Sequence, residues 1–370
     1  MTFDVAIIGG GIAGLALAVD IKSRGYNVVV IEKGNYPRHK VCGEYISMES
    51  HNYLEKICPA LKKLNLPWIT DFKITTGKTK EFNTALGLGG FGISRYLLEE
   101  LLFEEAKIKG VIFLLETKAK DIHYENDLYT IETNSGNVFS KLVCNSSGRK
   151  SNLEAKERSE QLKGTNYVGI KYHIKIKRDP RLIEIHNFPG GYCGISNIEE
   201  DKVCLCYIVN SKKLKEANNS IPELEKNTLH KNSQLKKIFN DAVFIFKEPL
   251  TISGINFRIK KPVKDGSFFL GDSAGSIAPI TGNGMSIGLR SASILGVLVD
   301  EFFLRKISRM QLEKKYDDFW NKEFSARIKL SRHFQKLSEY SFLTGITINL
   351  FNNFPSIAKT IIKLTHGKPF

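Results

Sequence analysis

Apolar residues open the chain as a short β-forming run, Val5 to Ile8, and a second such run, Val28 to Ile31, follows a segment of helical character. Short apolar runs bounded by glycine and polar turns read as buried strands, so "VAIIGGGIAGLALAVDIKSRGYNVVVIEK" predicts a strand-helix-strand unit. Next, "SMESHNYLEKICPALKKLNLPW" carries a helical pattern broken at Pro59, and "DFKITTGKTKEFNTAL" reads as a hairpin turning near Gly77. In "ISRYLLEELLFEEAKIKG", Leu97, Leu98, Leu101, Leu102 and Ala106 recur at intervals that share one helical face, with Glu99, Glu100 and Glu105 expected to point outward. "VIFLLETKAKDIHYENDLYTIETNSGNVFSKLVCNSSG" alternates as strands do, with turns at "END" and "NSGN".

From Thr165 to Phe257 the pattern is mostly strand-like, interrupted by the polar, helical stretch "SIPELEKNTLHKNSQLKKIFN". "GSFFLGDSAGSIAPITGNGMSIGLRSASILGVLVDEFF" then returns to strand, glycine-rich loop and helix, so distant sequence completes the first domain. From Met310 the chain is helical, with Leu312, Tyr316, Phe319, Trp320, Phe324 and Ile328 on one buried stripe. The expected division is a discontinuous nucleotide-binding domain from residues 1–70, 95–164 and 258–310, a substrate domain from 71–94 and 165–257, and a helical region over 311–370.

The first glycine cluster gives this frame a chemistry. Gly9, Gly11 and Gly14 follow the first strand in G-x-G-x-x-G spacing, which supplies a tight turn, close backbone approach to a pyrophosphate, and close packing of helix on strand. The helix start offers free N–H groups to phosphate, and Glu32, ending the second strand, is placed to accept hydrogen bonds from a ribose. A dinucleotide site is the expected outcome.

Bulk composition narrows the rest. The 370 residues are 42% hydrophobic and 25% charged, as in ordinary globular proteins. No apolar run reaches membrane-spanning length and no basic stretch precedes the first strand, so neither a transmembrane helix nor a signal peptide is expected, and the cytoplasm is the expected location. The cysteines, Cys42, Cys58, Cys144, Cys193, Cys204 and Cys206, form no C-x-x-C pair, and neither disulfides nor a metal site are expected. The net charge of +15 comes from lysines scattered along the chain rather than from a block, so a nucleic-acid partner is not expected from composition.

The second glycine cluster, "FFLGDSAGSIAPITGNGMSIGLRSA", is the most specific stretch. Asp272 at a strand end can bind hydroxyls of an extended polyol. The helix start beyond Gly282, Asn283 and Gly284 can set N–H groups against a ring that becomes anionic on reduction. Both needs describe FAD better than NAD.

With "GGGIAG" and Glu32, "PRHKVCGEYIS", Arg95 opening a helix, "CNSSGRKS" and "GDSAGSIAPITGNGMSIGLRSA", the chain resembles the para-hydroxybenzoate hydroxylase-fold FAD-dependent oxidoreductases and, within them, the geranylgeranyl reductase-like branch. The resemblance implies an α/β fold, with a Rossmann-like FAD-binding domain, an inserted mainly β substrate domain and a C-terminal helical segment. It assigns Gly9, Gly11 and Gly14 to the ADP part, Arg95 to the adenine-nucleotide side, and Ala119 to adenine through its backbone, with Ala13, Glu32 and Lys33 as further cofactor-binding residues. Cys42 and Gly43 would lie near the flavin, Gly148 in the middle motif, and Gly271 and Asp272 at the ribityl or pyrophosphate region. Gly284 and Met285 would meet the ring, with Pro279, Gly282 and Asn283 as further cofactor-binding residues of the same loop. The chain departs from the family pattern in three places. Ser147-Gly148 stands for the hydroxylases' Asp-Gly, and Tyr192 to Ser196 replaces the Tyr-x-Trp-x-Phe-Pro-like segment of the reductases. The Trp-x-Trp-x-Ile-Pro segment of flavin halogenases is missing, which argues against halogenation.

The expected activity is an FAD-dependent oxidation or reduction, as monooxygenase or reductase, driven by external NADPH or NADH and acting on a largely apolar small organic molecule. Its pocket is expected between the FAD domain and the sheet carrying "HNFPGGYCGISNI". Cys42, Glu44 and Tyr192 are the candidate catalytic residues, with Tyr45 beside them. Cys42 serves equally as a small wall residue, Glu44 as an anchor of its loop, and His39 as a surface residue. A second class, a flavoprotein acting on tRNA or at an anionic membrane, rests on the tail. There Ile357, Ile361, Ile362 and Leu364 with Lys359, Lys363 and Lys368 can form a basic amphipathic helix that lies on lipid or docks on its own domain.

Overall fold

The computed structural model describes residues 2–149, 153, 167–257 and 259–370. The expected domain limits at 164, 165 and 258, and Lys150 and Ser151 of "CNSSGRKS", lie outside the described residues.

The first sheet grows from β1 (Thr2–Ile8), which pairs in parallel with β2 (Val28–Ile31) on one side and β9 (Gly136–Asn145) on the other. β6 (Ile112–Leu114) extends it beyond β2, and β17 (Ser267–Phe269) beyond β9, again in parallel. Residues of β1 alternate between two cores. Val5 and Ile7 pack against α1 (Ile12–Ser23), α3 (Arg95–Ile108) and α7 (Gly284–Phe303). Ala6 and Ile8 face the antiparallel β7 (Ala119–Glu125) and β8 (Leu128–Thr133), with Tyr129 and Ile131 in that second core. Burial on both faces explains why β1 and β2 read as continuous apolar runs rather than alternating ones.

The second sheet is mostly antiparallel and contains β4 (Trp68–Thr76), β5 (Lys80–Gly92), β10 (Tyr167–Lys175), β11 (Leu182–Phe188), β12 (Gly191–Asn197), β13 (Val203–Asn210) and β15 (Leu250–Ile255). β11 runs parallel to β4, and β3 (Tyr45–Ser47) pairs with β5. "CGEYIS", expected within the nucleotide domain, therefore ends as a strand of the substrate sheet. One face of this sheet is covered by helices α4 (Ser211–Glu216), α5 (Ile221–Asn227) and α6 (Ser233–Asp241), through Leu224 and Leu235. The opposite face, with Ile185, Tyr192 and Ile208, turns toward the nucleotide domain.

The chain ends in α8 (Arg309–Leu337), α9 (Ser341–Asn353) and α10 (Pro355–Thr365). Leu312, Tyr316, Trp320, Phe324 and Ile328 are buried along α8, and Phe319 is half-buried. Phe351 and Ala358 seat α9 and α10 on Phe82 of β5.

Candidate active site

Glycine contacts build the first turn. A Cβ at Gly14 would overlap the carbonyl oxygen of Gly9 and Oγ of Ser146, so α1 can lie this close to the strand ends only without a side chain there. Gly11 is the N-cap of α1, which has no side-chain cap and no acid in its first turn. Its first hydrogen bond runs from Leu15 N to the Gly11 carbonyl (2.9 Å), leaving the earlier N–H groups to an external acceptor. Glu32 Oε2 accepts the Gly10 N–H (2.7 Å), while Oε1 accepts the Gly34 N–H (3.0 Å) and Arg38 (2.6 Å). Burial would raise the Glu32 pKa, but Arg38 outweighs it and keeps the carboxyl below its ordinary range.

Glu99 corrects the sequence expectation. It is fully buried rather than outward-facing, because Arg95, Arg38 and Lys40 surround it, the latter two at 3.3 Å. A carboxylate can occupy the inner face of a helix when several cations replace its water. Lys40 Nζ and a terminal guanidinium nitrogen of Arg95 lie 3.6 and 3.8 Å from where a Gly11 side chain would begin. Nε of Arg95 is buried without a hydrogen-bond partner. Burial, reinforced by Arg95, pushes the Lys40 ammonium down to about 8. Two cations and an orphaned donor at a helix N-terminus fit a pyrophosphate.

The second cluster faces the same space. Asp272 follows Gly271, whose φ of +54° lies in the left-handed region, and accepts Arg149 at 3.1 Å. Arg149 Nε also donates to Ser276 Oγ (2.9 Å), which donates to the other Asp272 oxygen (3.1 Å). α7 begins at Gly284 with no side-chain cap, and Met285 Sδ lies 3.9 Å from Cys42 Sγ. The two glycine clusters and the "CGE" segment thus converge.

They converge on one cavity of about 1090 Å³. Gly9, Gly11, Ala13, Glu32, Lys33, Arg95 and Ala119 line one part of it, and Cys42, Gly43, Gly148, Gly271, Asp272, Pro279, Gly282, Gly284 and Met285 another. Two candidates do not line it. Gly14 only packs helix on strand, and Asn283 turns its side chain to the Thr365 carbonyl, tying α7 to the C-terminal helix. The cavity continues over Phe72, Ile74, Ile185, Tyr192, Ile208 and Ile252, and under Thr344, Phe351, Ile361 and His366 of the C-terminal segment. A ligand pocket commonly spans roughly 300–1,000 Å³, so this space is at the upper end of that range and has room for an extended cofactor.

Tyr192 is buried with no hydrogen-bond partner for its hydroxyl, and burial raises its pKa, keeping the donor neutral. Tyr45 packs beside Gly282, and its hydroxyl lies 3.5 Å from His366 Nε2. Burial raises the Tyr45 pKa and lowers that of His366. His39 is exposed, its ring against Tyr96 and Phe246.

Glu44 is fully buried and held from three sides: by the Lys171 ammonium, by His173 Nε2 (2.6 Å) and by the Arg95 backbone N–H (2.8 Å). Burial would raise its pKa, but His173 and Lys171 bring it down. Its φ of +55° is unusual for a non-glycine residue, and the three bonds fix it. This geometry makes Glu44 an anchor that joins the "CGE" turn, α3 and β10. Glu44, His173 and Cys204 bring ligand-type atoms within 4.8 Å of one another, but the Lys171 ammonium on the same carboxylate opposes a further cation. Lys171, His173 and His366 are not legible in the sequence because each is a lone residue outside any motif, whereas Arg149 lies within "CNSSGRKS", where nothing local marks it as the partner of Asp272. The "PRHK" run was the one local signal for Arg38 and Lys40.

Residues 4–41 match the DAO family, FAD dependent oxidoreductases. Across 363 residues the chain is 24% identical to Conditioned medium factor receptor 1 of Dictyostelium discoideum, covering 89% of this chain and 69% of that protein. It superposes on the myxobacterial chondrochloren halogenase, a variant of the FAD-dependent halogenases, with a TM-score of 0.74 at 15% identity, over 86% of this chain and 79% of the other. It superposes equally, with a TM-score of 0.74 at 15% identity, on Pseudomonas aeruginosa PqsL in complex with 2-aminobenzoylacetate, over 94% of this chain and all of the other. The chain therefore has the fold of FAD-dependent monooxygenases and halogenases, with an amino-terminal nucleotide-binding unit of the FAD-dependent oxidoreductase type.

Proposed function

We propose that this chain is an FAD-dependent oxidoreductase, driven by NADPH or NADH, that acts on a largely apolar small organic molecule. The observation that carries this reading is the continuity of the cavity from the cationic cradle at Gly11, past Met285, into the apolar chamber around Tyr192. Gly11, Lys40, Arg95 and Glu32 would hold the ADP part, and Asp272 and the start of α7 the ribityl chain and ring. Bound there, FAD supplies hydride transfer or reaction with oxygen. The chain's own residues do the rest. Phe72, Ile74 and Ile252 exclude water and hold an apolar body, Tyr192 donates a hydrogen bond to its polar end, and the Glu44 anchor fixes the wall beside Cys42.

Reductase chemistry of the geranylgeranyl reductase-like type is supported by "PRHKVCGEYIS" and the second glycine cluster, whereas Tyr192 to Ser196 weighs against a long isoprenoid substrate. The six free cysteines agree with a reducing, cytoplasmic setting. The test is release of FAD on denaturation, followed by anaerobic reduction with NADPH and NADH and then admission of oxygen. A protein that takes up no FAD from excess cofactor would overturn the assignment. Oxygen uptake coupled to substrate conversion would select monooxygenase, and anaerobic substrate conversion reductase.

A further inference from the structure

The C-terminal helices present an apolar face to solvent. Phe342, Ile346 and Leu350 recur every fourth residue along α9 with 77%, 49% and 41% exposure, and Phe354, Ile357 and Leu364 continue the surface over α10. Exposure here is not a failure to dock. Ile348, Phe351 and Ala358 on the inner side are buried, and Phe351 and Ile361 wall the cavity. One helical pair therefore separates an apolar chamber from an apolar outer surface.

Charge identifies what covers that surface. From residue 341 to 370 there is no aspartate or glutamate, while Lys359, Lys363 and Lys368 are all exposed. We propose that this face docks on the surface of an anionic lipid bilayer, with α9 and α10 lying in the interface and the apolar end of the cavity against the membrane. Apolar side chains enter the headgroup boundary while lysines meet anionic headgroups, the arrangement of an interfacial amphipathic helix. No helix among the described residues is long and apolar enough to cross a membrane, so the contact is on one leaflet. A second copy of this chain fits less well: a self-complementary contact would bring these lysines together with no carboxylate on the segment to pair them. RNA would satisfy the lysines but not the aliphatic stripe. The docking does not depend on the FAD assignment, because partitioning is read from the protein itself.

The experiment is sedimentation of the full-length protein with vesicles of phosphatidylcholine alone or mixed with phosphatidylglycerol, at low and high salt. Binding should require the anionic lipid and weaken with salt. Phe342→Ser with Phe354→Ser, and separately Lys359→Gln with Lys363→Gln, should each reduce binding by about tenfold or more, while Ile108→Ser, an exposed apolar change elsewhere, leaves it intact. Thermal midpoints matching the unmodified protein confirm that the variants fold. Absence of vesicle binding at low salt overturns the proposal. So does a concentration-dependent dimer abolished by the Phe342 and Phe354 changes, or RNA retention lost in the lysine variant without vesicle binding.

Discussion

Lys171 and Glu44, 127 residues apart in the chain, meet as an ion pair in which neither side chain is exposed to solvent. The pair fastens β10 of the substrate sheet to the "CGE" turn, which borders the second glycine cluster. Removing one partner of a buried pair leaves an uncompensated charge, so Lys171→Met should destabilise the protein by about 3–5 kcal/mol. Adding Glu44→Gln should recover part of that loss, and chemical denaturation of the three proteins checks it. Glu44 also sets an acid limit. Its folded pKa is depressed, so its contribution is complete above the ordinary carboxylate value of about 4.3 and is lost as the pH falls through the lower folded value. A denaturation midpoint that is equally acid-sensitive in the double variant would show that other carboxylates set the limit.

Tyr192 makes the opposite prediction. A buried hydroxyl without a partner costs about 1–3 kcal/mol, so Tyr192→Phe should make the substrate-free protein more stable by about 1 kcal/mol. The same change should weaken binding of a substrate with a polar end by about tenfold, raising KM more than it lowers kcat. A variant with lower stability and unchanged KM would place the hydroxyl in the architecture rather than at the substrate.

Both predictions rest on features of different legibility. Gly9, Gly11, Gly14 and Glu32 could be read because a strand, a turn and a helix lie within one local stretch whose backbone demands specific residues. The apolar periods of α3 and α8 were equally plain. Glu99 was misplaced because amphipathic periodicity assigns charge to solvent, and its three cations come from other positions, two of them in "PRHK". The bond from the Asn283 side chain to the Thr365 carbonyl was not legible, because position beside a glycine turn does not tell which way a side chain points. The Lys171–His173–Glu44 network joins residues from separate parts of the chain that only the sheet brings together. The C-terminal wall of the cavity was invisible for the same reason, although the amphipathic pattern of the tail itself was readable.

Lys40 yields a pH-dependent prediction. Its folded pKa is pushed to about 8 from an ordinary 10.5. Between these values the unfolded chain binds more protons, so this group makes the FAD-free protein gain stability as pH rises through that window. Attraction for a diphosphate has the opposite sign, present while Lys40 is protonated and lost as it deprotonates, with bound diphosphate moving that loss upward. Lys40→Met should flatten both trends. Thermal midpoints of the FAD-free proteins and FAD dissociation constants, each measured from about pH 7 to about pH 10.5, would show it. Parallel curves for the two proteins would remove Lys40 from the phosphate cradle.

Cys42 separates the two roles open to a polar group beside the second glycine cluster. Its Sγ accepts the Glu44 backbone N–H at 3.4 Å and lies 3.9 Å from Met285, so the thiol is held as part of the wall while one side faces the cavity. A residue that donates a proton to substrate contributes about 10²–10⁴-fold to rate; a wall residue contributes shape. Cys42→Ala removes the proton and leaves a small apolar group, whereas Cys42→Ser keeps size and a less acidic proton. The wall role predicts that both variants retain FAD and reduction by NAD(P)H, with substrate turnover within about tenfold of the parent. Single-turnover measurements with pre-reduced protein isolate the substrate step. A loss of about a hundredfold in Cys42→Ala, partly restored in Cys42→Ser and accompanied by a changed pH profile, would make the thiol a proton donor instead.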